Sequence, residues 1–443
     1  MSIFKAYDIR GTFPDQIEES IARKIGFSFA TFLKAKTLVV GRDMRTMAPS
    51  IQDAVIDGIL DTGCNVLDIG LASTPMGYFA MGKLPCDGGM VVTAAHNSKE
   101  YIGFKMCKEN ARPLSGDNGI KDIEAMVAAG NFPPAAERGK RDQVDVKSDF
   151  VDHIASFVDE LSPVKIVVDY ANGMGANEAP LIFEKFPQLE VVPLYQELDG
   201  TFPNHEANPL HEPNLDDLRA AIKQHGAPLG IAFDGDADRC AFVDEAGRTV
   251  HADLATVILA RDMLARHPGK GIIYDLRSSK VLPEEIERLG GRPVRERVGH
   301  SFMKETMRAT DCIGGGELSG HFYFAENYFT DCGVLACLLV LVQLSKEGTT
   351  LKAAADPLRK YYGTGEVNFR VEDKQGRMKQ VEAAFPDGEV DYLDGVTVTC
   401  EDWWVNVRPS NTEPYLRMCL EANTEQVMVE KKAVLFEILG KPV

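Results

Sequence analysis

Asp234-Gly235-Asp236-Ala237-Asp238-Arg239, set between the apolar runs Leu229–Phe233 and Cys240–Val243, is the stretch on which the fold turns. Each apolar run predicts a short strand, one entering the loop and one leaving it. Three carboxylates at alternate positions repel and raise one another's pKa. A divalent cation removes that conflict, and Mg²⁺ in particular favours a small set of carboxylates near a phosphate. Gly235 permits a sharp turn that lets the three side chains converge. An EF-hand is the competing metal reading, with Glu245 at the twelfth position. It fails because Arg239 stands where that loop needs glycine and because strands flank it. A solvated acidic turn is the bland alternative, and the apolar flanks argue against it.

Working outward, strand and helix patterns alternate on both sides of this loop. Residues 1–147 carry helix periodicity at Ile21, Ile25, Phe29 and Phe32, and again at Ile51, Val55 and Ile59. Strand runs fall at 37–40, 65–69 and 89–93. A polar, Pro-containing stretch from Asn131 precedes a helix pattern at 150–158 and marks a boundary. Residues 148–248 repeat the logic, with strands at 164–170, 191–194 and 229–233 and helices at 180–186 and 215–225. A loop from Asp199 to Pro213, rich in Pro, Asn and His, has the length of a functional or mobile segment. Residues 249–362 repeat it again, with strands at 272–275 and 294–298, helices at 254–264, 281–289 and 303–308, and a core helix over 334–342. Residues 363–443 differ: closely spaced strands at 366–371, 396–400, 404–407 and 416–420 and a helix over 426–439 predict a small α+β unit. The alternation elsewhere predicts α/β units with parallel or mixed sheets.

Composition limits the function. With 443 residues the chain is too long for one core, and 44% hydrophobic with 26% charged residues is that of a globular protein. A net charge of −18 argues against a broad nucleic-acid or anionic-membrane surface. It leaves room for a local basic pocket into which anions are focused. Nine cysteines without Cys-x-x-Cys spacing predict reduced thiols, and the N-terminal residues lack a signal-peptide pattern, so a cytoplasmic protein is expected. Nothing argues for a dimer; a monomer is expected.

Four loops carry candidate chemistry. The first runs Thr93-Ala94-Ala95-His96-Asn97, then Tyr101-Ile102-Gly103-Phe104-Lys105. The second is the acidic loop. The third, Gly314-Gly315-Gly316-Glu317-Leu318-Ser319-Gly320-His321, has glycines for close ligand approach and a mixed polar set. The fourth is Arg408-Pro409-Ser410-Asn411-Thr412-Glu413-Pro414, an arginine fork beside hydroxyl, amide and backbone donors suited to a phosphate dianion. A plain turn is the alternative for the third loop, a capped turn for the fourth, and a structural histidine for His96.

In order and spacing these loops resemble those of the α-D-phosphohexomutases, and within them the phosphomannomutase/phosphoglucomutase group. The likeness extends from Lys5-Ala6-Tyr7-Asp8-Ile9-Arg10-Gly11 through Gly299-His300-Ser301 to Pro414. It implies four domains around a central cleft, three mixed-sheet α/β domains and a small α+β C-terminal domain. It implies interconversion of hexose 1-phosphate and hexose 6-phosphate, of mannose or glucose, through a phosphoserine and a hexose 1,6-bisphosphate. Asp234, Asp236 and Asp238 are implied to hold Mg²⁺. Glu317, Ser319 and His321 are implied to read the sugar hydroxyls, and Arg408, Ser410, Asn411 and Thr412 to grip its phosphate. Tyr7, Arg10, His96, Lys105, Arg239, Arg277 and His300 match further cleft positions. Lys105, with a pKa lowered by neighbouring cations, and His96 are the candidate acid and base. Gly316-Glu317-Leu318-Ser319-Gly320-His321 is closest to the Gly-Glu-Met-Ser-Gly form of the mannose/glucose enzymes, whereas the glucosamine enzymes carry Gln before the Ser. The resemblance thus implies mannose or glucose, with glucosamine phosphate as the runner-up substrate.

One departure is large. The family's first loop reads Thr-Ala-Ser-His-Asn-Pro and its Ser carries the phosphoryl group, whereas here position 95 is Ala and the Pro is Ser98. A methyl group can neither accept a phosphoryl group nor present one to Mg²⁺. The favoured explanation is an engineered replacement of serine by alanine at position 95, one that abolishes activity. A naturally inactive relative, in effect a non-catalytic sugar-phosphate binding protein, and Ser98 as a displaced nucleophile are the alternatives.

Overall fold

The structure, a computed structural model, describes residues 2–410 and 415–443. Its strands form four sheets in chain order. In the first, Gly88–Val92, Thr37–Arg42, Asn65–Leu71 and Arg141–Gln143 run parallel, and Tyr101–Lys108 and then Ile9–Thr12 add antiparallel. In the second, Leu229–Phe233, Val164–Asp169 and Leu189–Leu194 are parallel and Cys240–Asp244 is antiparallel. In the third, Arg292–Glu296, Gly271–Asp275 and Cys312–Gly316 are parallel and Phe322–Phe324 is antiparallel. The fourth sheet, from Tyr362–Phe369 to Leu416–Ala422, Trp403–Pro409, Val396–Thr399 and Glu389–Asp391, is wholly antiparallel.

One device recurs in the first three sheets. A buried strand that pairs in parallel on one side turns directly into an antiparallel neighbour on its other side, and the turn between them is a candidate loop. Gly88–Val92 turns into Tyr101–Lys108 through residues 93–100, Leu229–Phe233 into Cys240–Asp244 through 234–239, and Cys312–Gly316 into Phe322–Phe324 through 317–321. Each loop thus leaves the C-terminal end of a central strand, where open α/β sheets bind ligands.

The largest apolar core runs through the second and third sheets and is centred on the helix Gly333–Glu347, in which every residue from Gly333 to Leu344 is buried. The run anticipated over 334–342 lies wholly within it. Each fully buried Leu or Val there contributes roughly 1.5–3 kcal/mol, so this helix anchors the third sheet against the second. No single helix among the described residues is long and apolar enough to cross a membrane.

Two local expectations are corrected. The left-handed residue of the acidic loop is Ala237, at φ 62°, and Gly235 is not in that region. Gly235 serves a contact instead: a Cβ there would lie 2.4 Å from the Ala95 carbonyl oxygen. Likewise Gly314, Gly315 and Gly316 belong to a buried strand, where a Cβ on Gly315 would meet the Ile273 carbonyl at 2.0 Å. Their small size serves packing between strands, not approach of a ligand.

A Gly235→Ala variant should therefore lose about 1–3 kcal/mol of stability, measured by urea unfolding. An unchanged midpoint would show that the two loops are not in tight contact.

Candidate active site

The acidic loop closes into a buried triad. Asp234, Asp236 and Asp238 are each 0% exposed, and one oxygen from each lies within 4.8 Å of the others. Asp234 Oδ2, Asp236 Oδ1 and Asp238 Oδ1 have no hydrogen-bond partner among the described residues. Burial, then the charges of Asp236 and Asp238, pushes the Asp234 carboxyl well above its usual range. Three buried, mutually repelling carboxylates with unused oxygens aimed together fit a hard divalent cation.

The first loop supplies the neighbouring cation. Lys105 lies in the strand Tyr101–Lys108, and its Nζ donates to Asp236 Oδ2 at 2.7 Å and to Asp238 Oδ2. Burial alone would lower its pKa, but Asp236 and Asp238 overcome that and raise it. The expected depression by nearby cations is thus corrected: Lys105 faces carboxylates and stays protonated. Burial would in turn raise Asp236, and Lys105 together with the Thr74 hydroxyl, 2.6 Å away, holds it low. Thr74 begins the helix Thr74–Lys83, so the first α/β unit braces the acidic loop from two elements.

Ala95 lies at the junction. It is 1% exposed and holds a left-handed φ of 49°, a conformation that costs a non-glycine residue about 1–2 kcal/mol. Its carbonyl accepts from Arg45 Nη2 at 2.8 Å and its N–H donates to Thr93 Oγ1 at 2.9 Å. Arg45 was not anticipated. It also donates to the carbonyls of Asn97, Ser98 and Tyr101, and it pairs with Asp43 at 3.2 Å. Ser98 contributes its carbonyl to this arrangement.

Above this floor opens a cleft of about 600 Å³ lined by Tyr7, Arg10, His96, Arg239, Arg277, His300, Glu317, Ser319 and His321. Arg10 reaches Asn97 and Asp8. Burial, then Arg239 and Arg10, drives the His96 pKa well below the usual imidazole range, and its Nδ1 has no partner among the described residues. His300 is likewise held neutral, by burial and then Lys304. Arg239 Nε donates to His321 Nε2 at 3.0 Å, and His321 Nδ1 lies 2.7 Å from Asp331 Oδ2. An Nε2 that accepts places the ring proton on Nδ1, facing Asp331. Asp331 is also paired with Lys304 at 2.7 Å, both fully buried. Glu317 Oε2 accepts from Tyr323 Oη at 2.8 Å, and Ser319 Oγ is buried without a partner among the described residues.

The fourth segment begins at Arg408, near the end of the strand Trp403–Pro409. Arg408, 2% exposed, donates to Glu366 Oε2 at 2.6 Å, and Ser410 is half-buried. Asn411 and Thr412 lie outside the described residues. Arg277, placed by Asp275 Oδ1 at 3.0 Å, bonds the same Glu366 oxygen at 3.1 Å. Arg45, Asp331, Lys304 and Glu366 were all missed by sequence reasoning. Nothing in their local sequence sets them apart from other charged residues, and only the partner brought by the fold gives each a role.

The chain matches the phosphoglucomutase/phosphomannomutase family unit by unit: alpha/beta/alpha domain I over residues 1–133, domain II over 148–247, domain III over 251–361 and the C-terminal domain over 366–436. It is 38% identical to a phosphomannomutase of Salmonella montevideo, covering 98% of this chain and 97% of the relative. It is 39% identical to the protein named "Phosphohexose mutases" from Xanthomonas campestris pv. campestris strain B100, covering 97% of each. A crystal structure of a phosphoglucomutase/phosphomannomutase family protein from Burkholderia thailandensis superposes with a TM-score of 0.92 at 31% identity, covering 100% of this chain and 98% of that one.

Glu366 yields a prediction in pH. Burial would raise its carboxyl, but Arg277, Arg408 and Arg417 lower it to about 2, below the roughly 4.3 of an unfolded Glu. A depressed carboxyl stabilises the fold above the unfolded pKa, and that share is lost as pH falls towards the folded value. Urea midpoints should drop between about pH 4.5 and 2, less steeply in a Glu366→Gln variant. Parallel curves would contradict the ion-pair assignment.

Proposed function

Because the chain belongs to the phosphoglucomutase/phosphomannomutase family, whose members are phosphohexomutases, we propose that its site is built to interconvert hexose 1-phosphate and hexose 6-phosphate. The favoured sugars are mannose and glucose. The carrier of the phosphoryl group is a serine at position 95, and a hexose 1,6-bisphosphate is the intermediate. The chain itself, with Ala95, retains sugar-phosphate binding and lacks the carrier. The observation that supports this reading most strongly is the close approach of Ala95 to the acidic loop: the position that should bear the phosphoryl group packs on Gly235, between two members of the triad that should hold the metal.

Mg²⁺ held by Asp234, Asp236 and Asp238 supplies charge neutralisation at the transferring phosphoryl group. The remaining work falls to side chains. Neutral His96, which lines the cleft and whose buried Nδ1 has no partner among the described residues, is suited to take the proton of the attacking sugar hydroxyl. Lys105 and Arg239 stay cationic and stabilise phosphoryl oxygens. Glu317, Ser319 and His321 hold the ring hydroxyls, His321 in the tautomer that Asp331 imposes. Arg408, with Ser410, Asn411 and Thr412, grips the phosphate that is not transferred. Alignment of reactants and fixed positive charge provide most of the rate enhancement in phosphoryl transfer.

Ala95 itself favours a second reading, a non-catalytic sugar-phosphate binding protein. Restoring serine with Ala95→Ser separates the two. Assayed with Mg²⁺ and a trace of hexose bisphosphate, the variant should turn over mannose 1-phosphate or glucose 1-phosphate faster than the parent by several orders of magnitude. Turnover of glucosamine 1-phosphate alone would move the substrate assignment, and no turnover of any sugar would favour the binding protein.

A further inference from the structure

The strand Tyr362–Phe369 breaks register against Leu416–Ala422 between Gly363 and Glu366, where Gly365 adopts φ 63°. Bulges of this kind re-aim a side chain, and this one accompanies Glu366 facing the cleft, which it lines together with Arg277 and Arg417. There the carboxylate accepts from three guanidinium groups: Arg408 at 2.6 Å, Arg417 at 2.9 Å and Arg277 at 3.1 Å. Arg408 and Arg417 come from neighbouring strands of the C-terminal sheet, Trp403–Pro409 and Leu416–Ala422, whereas Arg277 follows the strand Gly271–Asp275 of the third sheet.

A carboxylate is an unexpected neighbour for a phosphate grip. It takes donor positions that a phosphate dianion would use, and its charge opposes that dianion at short range. Yet Arg408, buried as it is, would be left with a costly uncompensated charge if nothing bonded it. We infer that Glu366 is a resident competing anion of the phosphate grip: it holds the three arginines in place between substrates and yields them to an incoming phosphate. Because it also takes them back, it keeps the grip weak enough to let go. Release matters here, since a bisphosphate bound by one end must be freed to turn and be gripped by the other. This rests on the proposed role of Arg408 as the grip on phosphate.

The alternative is a strut that only ties the C-terminal sheet to the third, and the two roles differ in sign. Removing a strut disorders the arginines and weakens phosphate binding. Removing a competitor strengthens it. Titration calorimetry on the full chain, with inorganic phosphate and separately with glucose 6-phosphate, distinguishes them. Glu366→Gln should bind inorganic phosphate about tenfold more tightly than the parent, as expected for deleting one nearby like charge. Glu366→Asp, which draws the carboxylate back by one methylene, should fall between, and it decides the matter if circular dichroism shows the Gln variant unfolded. Equal or weaker phosphate binding by the folded variant overturns the inference. Tighter phosphate binding with no glucose 6-phosphate binding by either protein would uphold the inference and overturn the hexose-phosphate reading.

Discussion

The floor of the cleft depends on a guanidinium group with no access to water. Arg45 is 1% exposed, and burying it is tolerable only because Asp43 balances its charge and four backbone carbonyls accept its protons. Those carbonyls belong to Ala95, Asn97, Ser98 and Tyr101, so one side chain fixes the whole loop between the strands Gly88–Val92 and Tyr101–Lys108. Phe202, from the long loop after Asp199, lies over the guanidinium at 5.2 Å and Gly200 packs on its backbone. Deleting the guanidinium would remove the partner of four backbone carbonyls at once, and the buried one, that of Ala95, would cost about 1–3 kcal/mol if left unsatisfied. The strained backbone of Ala95 is held by this arrangement, as strain at a functional loop usually is.

From that fixed loop the rest of the site follows by contact. The Ala95 carbonyl is the surface on which Gly235 packs, Ala207 of the long loop accepts from the Gly235 N–H at 3.2 Å, and Thr74 and Lys105 reach Asp236. Arg239 carries the connection onward to His321 and hence to Asp331 and Lys304. The three α/β units therefore meet through side chains that are themselves buried, and their relative placement is set by charge pairing as much as by apolar packing. The C-terminal sheet joins the third unit through Glu366 and Arg277, and also through Arg295 with Asp391 and the Lys280 N–H with Glu421. A joint made of exchangeable ion pairs suits a unit that must respond to phosphate.

Much of this was legible in the chain. The alternation of strand and helix patterns and the three acidic residues after Phe233 located the α/β units and the triad, because periodicity and repelling carboxylates are local signals. The helix Thr74–Lys83 was missed because it is apolar on all faces and shows no period, and Lys374–Ala384 because it is largely polar. Gly235 was noticed for the wrong reason: its smallness answers a contact far back in the chain, at Ala95, while Ala237 makes the turn. Lys105 was misjudged because the charges around a residue are set by tertiary neighbours, and here these are carboxylates. Arg45, Asp331 and Glu366 could not be chosen from among many similar residues without the fold that brings them their partners.

The central claim is that position 95 is the phosphoryl-carrying position of a phosphohexomutase and that the surrounding site is otherwise ready to act. Intact-protein mass spectrometry of Ala95→Ser after incubation with glucose 1,6-bisphosphate and Mg²⁺ tests it most directly. A gain of one phosphoryl group, mapped by fragmentation to residue 95, is expected, with no gain in the parent chain. A variant that stays unmodified, or a phosphoryl group found on Ser98 in either protein, would contradict it.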